Sequence, residues 1–148
     1  MIPLTNLEIE DQLKGIKNFR GVFSHDTLPK MINQEESGVI NLDLANGSGT
    51  HWVAYCSTDK SNIVYLDSFG LPPSDIIASY LKDRNHNLLF NSSQFQPMNS
   101  TPSCGYFATD FIKSLSKPIS MSAYDYLLQF KQEPALVNEQ IIAKNLSN

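Results

Sequence analysis

His51-Trp-Val-Ala-Tyr-Cys56 and Ile63-Val-Tyr-Leu-Asp67 are two short apolar runs, separated by a turn that contains Asp59-Lys-Ser-Asn62. Runs rich in β-branched and aromatic residues and bounded by turn residues are typical of β-strands, and two of them predict a hairpin. In a hairpin, residues at the start of the first strand lie near residues at the end of the second. We therefore expect His51 and Asp67 to be neighbours at one end of a sheet.

Further elements are predicted on both sides of this hairpin. The run Gly38-Val-Ile-Asn-Leu-Asp-Leu44 predicts another strand, and residues 88–90, continued by 93–96, predict a further one. The spacing of apolar residues and the capping residues predict helices over 7–19, 74–81, 104–115, 123–130 and 135–146. This order predicts an α+β domain, with a small sheet in the first two thirds of the chain and a buried helix beginning at Cys104.

Length and composition exclude several classes of protein. The chain has 148 residues, of which 41% are hydrophobic and 18% charged, and a formal net charge of −4. We expect one globular, intracellular domain over residues 1–148, because this length can bury a core and no secretory signal or membrane span is evident. No charge run predicts a nucleic-acid face. No cofactor and no metal site are predicted, since the histidines are far apart and no CxxC pair exists.

Cys104 opens the predicted helix 104–115 and is a candidate nucleophile. The N-terminus of a helix carries partial positive charge and N–H groups without intrahelical acceptors, which favour an ionised thiolate. Gly105 would allow a substrate backbone to approach closely. A lone cysteine is more often an inert buried residue, so this position indicates catalysis only together with a base. Cys56 and Cys104 are both expected to stay reduced inside a cell.

His51 and Asp67 could supply that base. A carboxylate that holds one ring nitrogen of a histidine leaves the other nitrogen able to face a thiol. Gln94 and Gln96 precede Cys104, and a glutamine amide can stabilise the oxyanion of a tetrahedral intermediate together with the backbone N–H of the nucleophile. Each residue alone is more often structural, and the order histidine, aspartate, glutamine and cysteine is the more informative signal.

That order resembles the adenovirus maturation proteases, the adenain family, which share a superfamily of cysteine proteases with the SUMO-specific proteases. The similarity covers roughly residues 15–115. It is carried by three motifs: Gly49-Thr-His-Trp-Val-Ala-Tyr55, Tyr65-Leu-Asp-Ser-Phe-Gly-Leu71, and the segment from Gln96 to Cys104-Gly-Tyr-Phe107. The resemblance implies an adenain-like fold, in which the helix of the nucleophile packs against a central mixed sheet.

The resemblance also implies the roles of four residues: Cys104 as nucleophile, His51 as base, Asp67 as the acid that orients it, and Gln96 as oxyanion donor. Gln96 lies eight residues before Cys104 and Gln94 ten, against the six or seven usual in the family, so the choice between them stays open. No basic surface is evident for the DNA that stimulates adenain, and Cys56 does not match the cysteine of its peptide cofactor. Activation by DNA or by a peptide therefore stays open as well.

By this resemblance the expected function is that of a cysteine endopeptidase that cleaves viral capsid precursor proteins, within an infected cell and in the virion. Its partners would be polypeptide substrates, with no role for a membrane. A deubiquitinase or deSUMOylase on the same fold is one alternative, since it would use the same catalytic residues. A non-catalytic binding module that retains the fold is the other.

Overall fold

The computed structural model describes residues 2–47, 51–97, 102–117, 121–130 and 136–147. Within these ranges one sheet has the strand order β1-β2-β3-β4-β5. The strands are β1 (Phe19–Ser24), β2 (Ser37–Asn41), β3 (Trp52–Ser57), β4 (Asn62–Leu66) and β5 (Asn87–Phe90). The helices are α1 (Asn6–Leu13), α2 (Asp75–Lys82), α3 (Cys104–Leu115), α4 (Ala123–Leu128) and α5 (Leu136–Leu146). The pair β2 and β3 and the pair β3 and β4 are antiparallel, whereas the two outer pairs are parallel, so the sheet is mixed as expected.

The two faces of the sheet carry separate hydrophobic cores. On one face α3 packs against the central strands, with Phe107 and Phe111 fully buried in a core that includes Ala54. On the other face α2 contributes Ile77 to a second core. Because both faces are covered, the inner strands are buried along almost their whole length rather than at alternate positions. This burial confirms the predicted arrangement of a sheet with the Cys104 helix packed on it.

The first helix is shorter than its sequence pattern predicts. Thr5 caps α1 in a capping box with Glu8, and the helix ends at Leu13. Asn18 has a left-handed backbone with φ of 67°, which an α-helix does not contain, and Phe19 begins β1. The predicted helix over 7–19 is therefore wrong beyond its first two turns. The sequence analysis also missed β1, an edge strand whose register shifts between Phe19 and Gly21.

Local hydrogen bonds correct two other strand predictions. The predicted strand 38–44 ends at Asn41, because the side-chain oxygen of Asn41 accepts the backbone N–H of Asp43 at 2.9 Å and turns the chain. The predicted continuation of β5 over 93–96 is a loop instead. The backbone N–H groups of Phe95 and Gln96 both donate to the carbonyl of Ser68 at 3.0 Å, so no strand partner receives them. The hairpin of β3 and β4 and the helix α3 are confirmed. The helix predicted over 123–130 ends at Leu128. The first residue of the helix predicted over 135–146 lies outside the described ranges.

A buried acid anchors the far side of the sheet. Glu36 is almost fully buried and pairs with the guanidinium of Arg20 at 2.9 Å. The hydroxyl groups of Tyr55 and Tyr80 donate to the same carboxylate. The hydroxyl end of each tyrosine is therefore held in place, and Gly38 on β2 lies against the hydroxyl of Tyr55 because it has no side chain.

Replacing Gly38 by alanine should destabilise the fold. The added methyl would lie 2.5 Å from the Tyr55 oxygen, which its bond to Glu36 prevents from moving away cheaply. We expect the free energy of unfolding to fall by about 1–3 kcal/mol, the usual cost of overpacking a core, measured by urea denaturation. Gly15→Ala is the matched control, since no atom lies within 4 Å of the new methyl there. Equal midpoints for the two variants would contradict the packing described here.

Candidate active site

The hairpin register brings His51 and Asp67 together, as the sequence predicts. Ala54 lies opposite Leu66 in the ladder, so the residues just before β3 meet those just after β4. The Nε2 atom of His51 lies 2.7 Å from Oδ1 of Asp67. Since this hydrogen bond occupies Nε2, it leaves Nδ1 as the ring nitrogen that can face another partner.

Hydrogen bonds to the backbone fix the position of the Asp67 carboxylate. Asp67 is 1% exposed, and its Oδ1 also accepts the backbone N–H of Phe69 at 2.8 Å. Asn91 follows β5 and clamps the main chain of Asp67 from both sides: Oδ1 of Asn91 accepts the Asp67 N–H at 3.0 Å, and Nδ2 donates to the Asp67 carbonyl at 2.6 Å. The side chain of Asn91 thus extends the parallel pairing of β4 and β5 by one further residue.

The ring of Phe69 stacks on the face of the His51 imidazole. The two ring centroids of His51 and Phe69 are 4.6 Å apart, with an interplanar angle of 21°. An aromatic face favours a positive charge placed over it, so this stack suits a protonated ring. The sequence analysis quoted Phe69 as part of a motif but gave it no role. Its position two residues after an aspartate that was already a candidate is the signal that could have identified it.

Cys104 lies at the beginning of α3 and faces both strands of the site. The cysteine is 4% exposed. The backbone N–H of Trp52 donates to the Sγ atom of Cys104 at 3.5 Å. The side chain of Cys104 also interacts with the ring of His51. The structure therefore brings Cys104, His51 and Asp67 together in one chain of contacts. The N-terminal end of α3 adds partial positive charge beside the sulfur atom.

The environment of His51 favours its protonated form. Burial by itself lowers the pKa of His51, but hydrogen bonds to Asp67 and Cys104 and the negative charges of both partners outweigh it. The net effect raises the pKa from 6.5 to about 9. At neutral pH the ring is then an imidazolium, which can stabilise a thiolate on one side while a carboxylate stabilises the imidazolium on the other.

The two candidate glutamines occupy different positions. Gln96 is 0% exposed, and its side-chain oxygen accepts the hydroxyl proton of Ser68. The amide of Gln94 donates instead to the main-chain carbonyl of Gln96 at 2.9 Å. Ser68 thereby holds the side chain of Gln96, and Gln94 supports the backbone of its neighbour. Ser68 is a further residue of the site that the sequence analysis did not single out.

The second cysteine is in a different environment. Cys56 is buried near the other end of β3, and this burial raises its pKa to about 11, although a hydrogen bond to Ser116 acts in the opposite direction. Its thiol therefore stays protonated at neutral pH and is a poor nucleophile. No disulfide joins the two cysteines, as expected.

A cleft of about 580 Å³ opens beside Cys104. Its walls come from the segment before α1, from the end of β1 and from the chain after β2, and Trp52 lies at its base. The indole N–H of Trp52 donates to the carbonyl of Leu4 at 3.3 Å, and a side chain at Gly105 would lie 3.1 Å from the indole ring. Gly105 thus permits the close contact between α3 and Trp52 that shapes this cleft.

The described residues contain neither a metal-binding cluster nor a membrane-spanning helix. Across the five described ranges, no three histidine, cysteine, aspartate or glutamate side chains are placed so that they could hold a metal ion. In the same ranges no helix has the length and apolar character needed to cross a membrane.

A mixed sheet with a cysteine-bearing helix packed on one face is a fold found in solved cysteine proteases. Two crystal structures of the pS273R protease of ASFV (African swine fever virus) are similar in fold to this chain. The selenomethionine structure has a TM-score of 0.60 and 18% identity over 91% of this chain. The second structure has a TM-score of 0.55 and 19% identity over 80% of this chain. The central domain of the Lpg1148 protein of Legionella pneumophila has a TM-score of 0.53 and 10% identity, over all of both chains.

These similarities are similarities of fold. The chain spans 65% of the length of the first ASFV protease structure and 59% of the second. No protein-family model and no curated protein sequence matches this chain. The adenain-like fold expected from the sequence is therefore confirmed. This chain and the ASFV protease share the fold of a cysteine peptidase.

Replacing Asp67 by asparagine should lower the pKa of His51. The variant keeps the shape of the side chain but removes the negative charge that stabilises the imidazolium. Titration of the His51 ring by NMR should give a pKa near 9 in the unchanged protein and a value closer to 6.5 in the variant. Because the folded-state pKa is raised, the stabilisation of the fold by protonated His51 is complete below pH 6.5 and is lost as the pH rises through about 9.

Asp75→Asn is the matched control for this titration, because Asp75 is exposed at the start of α2. The control should leave the His51 pKa unchanged. An unshifted pKa in Asp67→Asn would show that the carboxylate does not hold the ring in solution.

Proposed function

We propose that this chain is a cysteine endopeptidase in which Cys104 is the nucleophile. One observation carries the proposal: Nε2 of His51 lies 2.7 Å from Asp67, the backbone N–H of the next residue, Trp52, donates to Sγ of Cys104 at 3.5 Å, and the interaction with Cys104 is one cause of the raised pKa of His51. A protonated imidazole between a carboxylate and a sulfur atom is the arrangement that activates a thiolate for attack on a carbonyl. In this proposal His51 is the acid–base residue and Asp67 orients it.

The first half of the reaction forms a thioester. The Cys104 thiolate attacks the carbonyl carbon of the scissile peptide, and its electron pair forms the new C–S bond while the carbonyl oxygen becomes an oxyanion. The backbone N–H of Cys104 and the side-chain amide of Gln96 stabilise that oxyanion. His51 then transfers its proton to the leaving nitrogen, the C–N bond breaks, and the amine product departs.

The second half releases the acid product. Neutral His51 accepts a proton from a water molecule, whose oxygen attacks the thioester carbonyl. The C–S bond breaks and its electron pair returns to the sulfur of Cys104. The resulting thiolate and the protonated ring of His51 restore the starting ion pair, so the cycle consumes one water molecule and needs no metal or organic cofactor.

The substrate class that we propose is viral capsid precursor protein, cleaved inside the infected cell and in the virion by a protease of a virus or virus-like element. The support is that the ASFV protease, to which the chain is similar in fold, is the protease of a virus. A cleft of about 580 Å³ also lies beside Cys104. Incubation with the structural proteins encoded beside this chain, with product termini read by mass spectrometry, tests this class. Faster cleavage of a ubiquitin or SUMO fusion would overturn it.

Cys104→Ala should abolish peptide cleavage and leave the fold intact, because the change removes one buried sulfur atom and creates only a small cavity. The measurement is turnover of a fluorogenic peptide, with circular dichroism as the check on folding. Cys56→Ala is the matched control: the same substitution at a second buried cysteine, which should keep turnover within about twofold. Retained cleavage in Cys104→Ala would overturn the proposal. Equal alkylation of the two cysteines would instead indicate a non-catalytic binding module.

Gln96→Ala should reduce kcat by roughly 10²–10³-fold, the usual cost of removing one oxyanion donor. Gln94→Ala should reduce it less, because the Gln94 amide binds a backbone carbonyl 2.9 Å away rather than facing the reaction. Comparing kcat for the two variants on one peptide settles the assignment. If Gln94→Ala is the more damaging change, the oxyanion role of Gln96 is wrong.

A further inference from the structure

Asn41 is one of the residues that line the cleft beside Cys104. It ends β2 and pairs directly with Trp52 across the antiparallel ladder. Opposed residues of an antiparallel pair project on the same face of the sheet, so its side chain is on the face that carries α3. Asn41 is 5% exposed, and it lines the cleft together with Trp52 and Cys104.

The side-chain nitrogen of Asn41 is a buried donor without an acceptor. Among the described residues, Nδ2 has no hydrogen-bond partner, whereas Oδ1 accepts the backbone N–H of Asp43 at 2.9 Å. That contact also settles the orientation of the amide, because the reversed amide would place two donors against each other. A buried N–H group that stays unpaired is unfavourable and rare in folded proteins, and functional sites are one place where it is found.

The position of this donor relative to Cys104 indicates what it binds. The backbone N–H of Trp52 donates to Sγ of Cys104 at 3.5 Å, and Asn41 is the residue opposite Trp52 on the next strand. Paired residues on adjacent strands are roughly 5 Å apart, so the Asn41 amide lies within one or two residues of any peptide bond held at the sulfur. An extended peptide presents a carbonyl at every residue, about every 3.5 Å, and the donor is uncharged, as suits a main-chain carbonyl.

We propose that Asn41 is a substrate-binding residue: Nδ2 is covered in the unbound protein, and a small shift of the side chain on binding brings it to the cleft, where it donates a hydrogen bond to a main-chain carbonyl of the polypeptide beside the scissile bond. This inference rests on the proposed function and adds a binding contact to it. Because every peptide offers that carbonyl, the contact contributes to affinity for all substrates rather than to the choice between sequences. Asn41 acts on the bound chain and not on the thiol–imidazole pair.

Two variants test the inference. Asn41→Asp keeps an oxygen for the Asp43 N–H but removes the donor, and Asn41→Ala removes the whole amide. Both should raise KM for the fluorogenic peptide, roughly 3- to 10-fold, as expected for one lost hydrogen bond, with kcat much less affected. Alkylation of Cys104 by iodoacetamide, which has no peptide chain, should keep the unchanged protein's rate. Asn87→Asp is the matched control, an exposed asparagine on the outer strand β5, and should change neither quantity.

Binding measured without turnover separates this inference from the proposed function. The Kd of the same peptide for Cys104→Ala, by calorimetry, should increase roughly 3- to 10-fold when Asn41→Asp is added. Equal Kd values, or no binding of the peptide at all, would overturn the role of Asn41. If the peptide binds and Asn41→Asp weakens it, while the unchanged protein shows no cleavage, the binding role stands and the endopeptidase proposal fails.

Discussion

The hydrogen bond of 2.7 Å between His51 and Asp67 joins the two ends of a hairpin, and the rest of the site is arranged around it. The bond exists because the β3–β4 ladder has one register: a slip of one residue would turn every side chain of a strand to the other face of the sheet. The two hydrophobic cores prevent that slip, since both faces of the hairpin are buried. Packing far from the site therefore determines the geometry of the proposed catalytic pair.

The turn that follows β4 is organised as tightly as the strands. Within three residues, Asp67 contacts the histidine, Ser68 hydrogen-bonds the side chain of Gln96, and Phe69 stacks on the imidazole. Asn91 holds the backbone of Asp67 from the neighbouring strand. One short segment thus positions the proposed base, its proposed acid and the glutamine proposed as oxyanion donor relative to one another, while the start of α3 supplies the proposed nucleophile and its backbone N–H.

The sequence predicts the hairpin and the helix from Cys104 better than it predicts the elements around them. The hairpin, the capped helix after Ser74 and the helix from Cys104 follow from local patterns, and the hairpin alone makes His51 and Asp67 neighbours. The strand β1 could not be predicted in the same way, because Ile16 and Phe19 continue a helical spacing and only the left-handed residue Asn18 interrupts it. The support from Asn91 was equally hidden, since it depends on a parallel pairing between strands distant in sequence.

The oxyanion position shows what a sequence motif does not contain. Gln94 and Gln96 are two residues apart and chemically identical, so spacing from Cys104 could not separate them. In the folded chain the carbonyl of Ser68 accepts the backbone N–H of Gln96, and the Ser68 hydroxyl donates to its side-chain oxygen. Gln94 instead uses its amide on the main chain. The difference lies entirely in tertiary contacts with the turn after β4, which also holds Asp67. The oxyanion donor and the acid of the proposed mechanism are therefore positioned by the same short turn, residues 67–69, so a disturbance of that turn should affect both halves of the reaction together.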